Sequence, residues 1–272
     1  GVQTCALPIF KAGHGLLSKK KESELLRGRC DSFVVETHVH YPTDISLLFD
    51  AIRKVIQLTS QLCESHGLSD WRQYQHNVRQ VKKQLRTAQA KKRTFGKSEQ
   101  QQLKFKQAME DAHRDLIDLC QGFSEKAQIT LKTICKTQSL NTSDLARIEV
   151  IRTFLGHTDR QIDQITRRVL QGERIPHEEK VFSLFQPHTE WINKGKIGVP
   201  VELGLRVCIL EDQHQFILHH RVMEQETDDQ VAVPIVKQVK AIFPHLSSCS
   251  FDKGFHSQKN QELLAKQLDV VA

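Results

Sequence analysis

The sequence predicts an α/β protein whose mixed β-sheet is interrupted, between its first and second strands, by a large all-helical insertion. Two observations carry this prediction. Segments rich in β-branched and aromatic residues, such as "DSFVVETHV" and "LGLRVCILED", favour strands on both sides of the middle of the chain. Residues 45–172, which lie between them, carry apolar side chains at helical spacing almost throughout.

Composition limits the classes of protein that fit. A chain of 272 residues can bury a full core, in one large domain or two. No apolar run approaches the ~18 residues of a membrane span, and no signal peptide is visible. The seven cysteines are scattered without a C-x-x-C pair, which favours reduced thiols in a cytoplasm over disulfides or a zinc knuckle. The net charge of +7 suits an anionic partner without identifying it.

The two ends of the chain look artificial. Residues 1–9, "GVQTCALPI", resemble the translation of a sequencing adapter, and we exclude them from fold reasoning. Because the chain lacks an initiator Met and stops at "LDVVA", inside a predicted strand, we expect a fragment of a longer reading frame. The predicted organisation is an N-terminal helix and first strand over 10–44, the helical insertion over 45–172, and the rest of the sheet domain over 173–272.

The N-terminal part is predicted to hold a short charged helix, "SKKKESELLRG", followed by the first strand, "DSFVVETHV". The turn "HYPTD" ends this strand because proline cannot donate to a β-ladder. Asp31 opens the strand. Glu36, at an odd separation from Asp31, is predicted to point to the opposite face and is left outside any site.

Four helices are predicted in the insertion. The first, "TDISLLFDAIRKVIQLTSQLCESHG", has a threonine or aspartate cap and Gly67 just past its end. The second, "LSDWRQYQHNVRQVKKQLRTAQAKKR", is polar and basic, and the fourth ends on Gly172. The third helix carries one apolar stripe, formed by Leu103, Met109, Leu116, Ile117 and Leu119.

The last part returns to strands. "LGLRVCILED" and "QFILHHRVME" form a predicted hairpin around the turn Asp212–His214. "TDDQVAVPIVKQVKAIFP" is a predicted helix capped by Thr227, with Pro234 near its first turn. A strand that ends at Asp252, the helix "QKNQELLAKQL" and the strand "DVVA" complete the order.

With the insertion set aside, the order is β-β-β-α-β-α-β, the layout of an RNase H-like domain. In that layout the first and fourth strands lie side by side at the centre of the sheet. Asp31 and Asp252 would then be neighbours, although most of the chain separates them.

Four blocks carry a family resemblance: "DSFVVETHVHYPTDISLLFDAIR", "FSLFQPHTEWINKGKIGVPVELGLRV", "TDDQVAVPIV" and "FDKGFHSQKNQELL". They resemble conserved blocks of bacterial DDE-type insertion-sequence transposases, close to the ISNCY-type group, from about residue 20 to the end. The resemblance implies that Asp31 and Asp252 are the first two catalytic carboxylates and ligands of Mg²⁺ or Mn²⁺. It places the third, a glutamate, beyond Ala272, since Glu262 lies too close to Asp252. It also implies that the N-terminal DNA-binding part is missing.

The implied activity is metal-dependent cleavage and strand transfer of DNA at insertion-sequence ends. Paired Mg²⁺ ions can activate a water or a 3′-hydroxyl and stabilise the leaving oxygen, and Mg²⁺ prefers carboxylate ligands. The implied partner is double-stranded DNA, a homodimer is compatible with it, and the implied location is the bacterial nucleoid. Without a third carboxylate, we expect this chain to be inactive or nearly so. The competing interpretation of each aspartate is a strand-end residue that makes local backbone hydrogen bonds.

Two rival functions stay open. A basic segment from Arg72 to Arg114, supported by Trp71 and Tyr74, is either a solvated helix face or, in a DNA-processing enzyme, a non-specific contact to phosphates. The first rival is a DNA- or RNA-binding module without catalysis, in which these basic helices make all the contacts. His38 and His40, two apart on a predicted strand, would suit a zinc hydrolase, although the repeated strand–helix units of such a barrel are missing. His256 is predicted to lie near the metals or to stabilise a turn. The residues predicted to contact DNA are Lys82, Lys83, Arg86, Lys91, Lys92, Arg93, Lys194 and Lys196.

Overall fold

The computed structural model describes residues 25–91, 98–193 and 200–272. They form two compact units. The sheet unit combines the described residues up to His38 with His188–Ala272, and the helical unit is Val39–Pro187. The predicted insertion, 45–172, lies inside the helical unit. Across the described residues, the protein is mixed α/β with six α-helices and a six-stranded mixed sheet. In the same part of the chain, no helix combines the length and apolarity needed to cross a membrane.

The elements have the following bounds. The strands are β1 (Leu26–Glu36), β2 (Glu190–Asn193), β3 (Val201–Glu211), β4 (Ile217–Met223), β5 (Leu246–Phe251) and β6 (Val270–Val271). The helices are α1 (Asp44–Ser65), α2 (Tyr74–Lys91), α3 (Glu99–Thr137), α4 (Thr142–Ile165), α5 (Asp228–Ile242) and α6 (Gln258–Ala265). A 3₁₀ turn, Lys253–Phe255, follows β5 directly.

The sheet has β1 at its centre. Strands run in the order β2-β3-β1-β5-β6, and β4 also pairs with β3. The pairs of β3 with β1, β2 and β4 are antiparallel, whereas β5 is parallel to both β1 and β6. The predicted hairpin is confirmed: the Asp212 carboxylate accepts hydrogen bonds from the amides of His214 (2.8 Å) and Phe216 (2.9 Å). The short strand β2 is an addition that the sequence pattern did not indicate.

Side chains of β1 alternate between a covered and an open face. Gly28 and Cys30 are buried, while Arg29 and Asp31 are exposed. The covered face packs under α5 and α6, and the core there contains Cys30, Cys208, Leu210, Leu218, Met223, Val231, Ile235, Val236, Val239, Leu246, Cys249, Phe255 and Leu264. On the open face, Phe33 and Val35 remain 45% and 49% exposed. Asp31 therefore lies on the open face, beside apolar strand residues.

The first strand begins earlier and ends earlier than predicted. The predicted helix "SKKKESELLRG" is wrong at its C-terminal end, because Leu26, Arg27 and Gly28 belong to β1 and pair with β5. Gly28 fits there because a Cβ would lie 3.1–3.2 Å from side chains of the core, including that of Leu210. At the other end, β1 stops at Glu36. The prediction that His38 and His40 share a strand is therefore wrong.

The helical unit has the predicted helices with confirmed caps. Thr43 caps α1 through a reciprocal capping box with Ser46, and Gly67 follows its end with φ +66. α1 and α4 are antiparallel, since His66 lies 3.3 Å from Asp144 at one end and Arg168 lies 2.8 Å from Asp44 at the other. Their core includes Ile45, Leu48, Ile52, Val55, Ile56, Ile148, Ile151 and Ile165.

Two details of the helices differ from the prediction. In α3 the apolar stripe does not begin at Leu103, which is 69% exposed; the buried positions begin at Ala112. In α5, Pro234 lies in the second turn rather than near the first, and Thr227 is the N-cap as predicted.

Candidate functional site

The register of β1 and β5 places two aspartates at the end of the parallel pairing. These parallel strands pair up to Cys30 and Phe251, and the next residue of each chain segment is Asp31 and Asp252. Asp252 continues in extended conformation, with φ −72 and ψ 159. Neighbouring strands lie about 4.8 Å apart. Asp31 in β1 and Asp252, the first residue after β5, are therefore the next positions past the last paired residues, and both are exposed.

Each aspartate already makes one local hydrogen bond. Asp31 Oδ1 accepts from the Ser32 amide at 2.8 Å, and Asp252 Oδ1 accepts from the Lys253 amide at 2.7 Å. Asp31 Oδ2 lies 4.0 Å from the Arg29 guanidinium. Such local contacts are what structural aspartates make, although Asp31 lies in the middle of β1 and only Asp252 follows a strand end. They also leave acceptor capacity, because an ionised carboxylate offers about four lone-pair sites.

The segment after β5 is held by a small hydrogen-bond network. Phe255 is 2% exposed and anchors the 3₁₀ turn in the core. Ser257 caps α6 by accepting from the Asn260 amide at 3.1 Å. Asn260 Nδ2 in turn donates to the carbonyls of Asp229 (2.6 Å) and Phe255 (3.1 Å). The polar residues of "DKGFHSQKN" thereby fix the chain that leaves Asp252.

A close approach at Gly254 joins this turn to the start of α5. A Cβ at Gly254 would lie 2.8 Å from Asp228 Oδ2, so the position suits glycine. Asp228 also lies 3.7 Å from Arg206 on β3. The turn that carries Asp252 is therefore held between the sheet and the first turn of α5.

We expect Asn260→Ala to destabilise the sheet unit by about 1–3 kcal/mol, since two carbonyls lose their donor in a largely buried position. Urea unfolding followed by circular dichroism measures this. Gln261→Ala, at the exposed neighbouring position of the same helix, is the control and should change stability little. Equal stability of the two variants would show that the Asn260 bonds do not hold the turn.

The carboxylates of Asp31 and Asp252 are suitable ligands for one hard divalent cation. Mg²⁺ takes one or two carboxylates and keeps several waters, so Asp31 and Asp252 fit the needs of one ion. No group of three or more His, Cys, Asp or Glu side chains within residues 25–91, 98–193 and 200–272 could hold a metal ion.

Arg29 and Lys253, which the sequence reasoning left out, place positive charge beside the pair. Their positions in the sequence, close to Asp31 and Asp252, could have indicated that positive charge lies beside the two carboxylates.

His40, one of the two histidines before α1, makes two contacts within the helical unit. His40 Nε2 lies 2.6 Å from Asp50 Oδ2, and its Nδ1 lies 3.2 Å from the Tyr41 carbonyl. Both ring nitrogens of His40 are therefore engaged inside the helical unit, and Asp50 also lies 3.4 Å from Arg53. His256, the third histidine of interest, is exposed just after the 3₁₀ turn.

His40 is expected to make stability depend weakly on pH. Partial burial lowers the pKa of His40, but its hydrogen bonds to Asp50 and Tyr41 and the Asp50 charge raise that pKa above its ordinary value. The charged pair therefore stabilises the folded state fully below about pH 6.5, and this contribution is lost as the pH rises through the raised pKa. Because the side chain is 52% exposed, we expect only a few tenths of a kcal/mol, roughly.

The pH-dependent stabilisation by His40 is tested by comparing the urea unfolding midpoints of wild type and His40→Gln over a range of pH. Their difference should be largest in mildly acidic buffer and shrink in alkaline buffer. Asp50→Asn should remove the same pH-dependent difference. A difference that grows with rising pH would contradict the assignment.

Several exposed basic residues lie on α2 in the helical unit. Among the residues predicted to contact DNA, Lys82, Lys83, Arg86 and Lys91 are exposed on this helix. The remaining four, Lys92, Arg93, Lys194 and Lys196, lie outside the described residues. The support expected from Trp71 is wrong: its side chain is 1% exposed and its Nε1 donates to Thr130 Oγ1 at 3.0 Å.

No family model, curated protein or solved structure matches this chain.

Proposed function

We propose that the sheet unit is the catalytic core of a DNA strand-transfer enzyme of the RNase H-like, DDE-transposase kind. The observation that supports this proposal is that Asp31 and Asp252 directly follow the last paired residues of the parallel strands β1 and β5. The strand order supports it: with the short β2 set aside, the first and fourth strands lie side by side at the centre of the sheet, as in the layout named above. The helical unit would then be the insertion between β1 and β3.

In this proposal Asp31 and Asp252 hold Mg²⁺ or Mn²⁺ on the open end of the parallel pair. The bound ion would supply an activated nucleophile and neutralise charge on the phosphate. Arg29, whose guanidinium lies 4.0 Å from Asp31, would meet a phosphate oxygen there, and Lys253 follows Asp252 directly in the chain. The exposed position of both aspartates leaves room for a DNA strand.

Since no third possible ligand joins Asp31 and Asp252 in the described part of the chain, we expect this chain to bind one ion well and a second ion poorly. DNA cleavage by the chain alone should accordingly be weak or undetectable. A plasmid-nicking assay that gave strong Mg²⁺-dependent activity, abolished by Asp31→Ala, would show that the two carboxylates suffice.

Calorimetric titration with Mn²⁺ tests the proposal independently of activity. The proposal predicts about one strongly bound ion per chain, at carboxylate ligands. Absence of Mn²⁺ or Mg²⁺ binding, together with stoichiometric zinc that is lost on replacing His38 and His40, would favour the zinc hydrolase instead.

A further inference from the structure

Four of the exposed cations of α2 occupy one side of the helix. We define the basic face as Arg79, Lys82, Lys83 and Arg86. At 100° per residue, these positions fall on one side, whereas the buried Val81, Leu85 and Ala88 fall on the other. From Arg79 to Arg86, the basic face extends over about 10 Å of the helix.

The charges of the basic face are not neutralised by ion pairs with the described residues. α2 contains no Asp or Glu, and no carboxylate among the described residues forms an ion pair with any of the four cations. Elsewhere in the helical unit, Arg152 pairs with Glu149, and Arg167 pairs with three carboxylates. Like charges at i and i+4, as in Lys82 and Arg86, destabilise a helix. This arrangement suits an external polyanion.

The kind of polyanion follows from what surrounds the cations. Single-stranded nucleic acid is held largely by stacking of bases on aromatic side chains. Tyr74 is the single aromatic (Phe, Trp or Tyr) residue of α2 and is half-buried, and Trp71, just before the helix, is in the core. A membrane surface is also a poor fit, because the apolar side of α2 is packed in the core and cannot insert into lipid.

We infer that the basic face binds the phosphate backbone of double-stranded DNA without reading its sequence. The phosphate contact stands on the geometry of α2 alone, while the choice of DNA over duplex RNA rests on the proposed function. Charges in a row on a straight helix match the regular phosphates of a duplex, and such contacts are strongly salt-dependent.

The test compares two matched double variants of the full chain. Lys82→Gln/Arg86→Gln removes an i,i+4 pair from the basic face. Lys132→Gln/Lys136→Gln removes an exposed i,i+4 pair from α3 and serves as the control. Fluorescence anisotropy with a labelled duplex of unrelated sequence, repeated over a range of salt concentrations, gives the affinity and its salt dependence.

We expect the basic-face variant to bind the duplex roughly tenfold more weakly or worse near 0.1 M salt, with the slope of log affinity against log salt reduced by about 1.8. The control variant should stay close to wild type. The basic-face variant should unfold at the same or a higher temperature, because like-charge repulsion is relieved. Loss of affinity would then not reflect misfolding.

Three results would overturn the inference: no duplex binding by wild type, equal losses in the two variants, or tighter binding of a single strand or of duplex RNA of the same length. Asp31→Asn/Asp252→Asn keeps the test separate from the proposed activity. Without divalent ions, this variant should bind the duplex at least as tightly as wild type. If this variant lost duplex binding, the DNA contact would have to be assigned to the sheet unit, and the inference would be overturned.

Discussion

Replacing either Asp31 or Asp252 by asparagine is expected to weaken Mn²⁺ binding by roughly a hundredfold, since each removes one of two charged oxygen ligands from a single ion. The two aspartates directly follow the last paired residues of β1 and β5, so neither can be replaced by a more distant carboxylate without moving a strand. The double variant should bind Mn²⁺ little more weakly than either single variant, because the ligands act as one site.

Glu262→Gln is the matched control for this prediction. Glu262 is an exposed carboxylate on α6, the helix that follows Asp252, and we exclude it from the site. Its replacement should leave Mn²⁺ affinity within about twofold of wild type. If Glu262→Gln weakens binding as much as Asp252→Asn, the metal site includes α6 and our assignment of ligands is wrong.

Gly204→Ala is expected to destabilise the sheet unit by about 3 kcal/mol. A Cβ at Gly204 would lie 2.2 Å from the Val35 carbonyl oxygen and 2.9 Å from Glu36 Cα, and backbone atoms cannot rotate away as a side chain does. Gly204 pairs with both Glu36 of β1 and Glu190 of β2, so the added methyl group must push strands apart.

Hydrogen exchange followed by mass spectrometry measures the loss of stability separately for each part of the chain. Peptides from β1 and β3 should exchange faster in Gly204→Ala, whereas peptides from the helical unit should be unchanged. Gly156→Ala is the control, and it should stabilise the protein rather than destabilise it. A Cβ at Gly156 meets nothing within 4 Å, and alanine in a helix interior is more stable than glycine by about 0.5–1 kcal/mol. Unchanged protection of β1 in Gly204→Ala would contradict the packing described.

The element order and helix caps could be predicted because they depend on local patterns. Thr43 and Thr227 precede apolar helical runs, and both cap helices in the structure. The order of strands and helices gave the position of β1 between β3 and β5. The segment Leu26–Gly28 could not be assigned correctly from its neighbours, because its strand conformation depends on pairing with β5, far along the chain.

The candidate site was predictable only where it follows from strand order. The pairing of β1 with β5, which the strand order predicted, is confirmed, and Asp31 and Asp252 follow its last paired residues. The bonds of Asn260 and the close approach of Asp228 to Gly254 depend on how α5 and α6 pack, which a residue pattern does not show. Trp71 illustrates the opposite error: beside a basic segment it resembled a stacking surface, yet it fills the helical core.

A crystal of the chain grown with Mn²⁺, with diffraction collected at the manganese absorption edge, tests most directly whether Asp31 and Asp252 form a metal site. We predict an anomalous-difference peak within coordination distance of oxygens from both side chains, at about 2.2 Å. No peak at that position, or a peak held by other carboxylates while Asp31 and Asp252 contact only Ser32, Lys253 and Arg29, would contradict the proposed function.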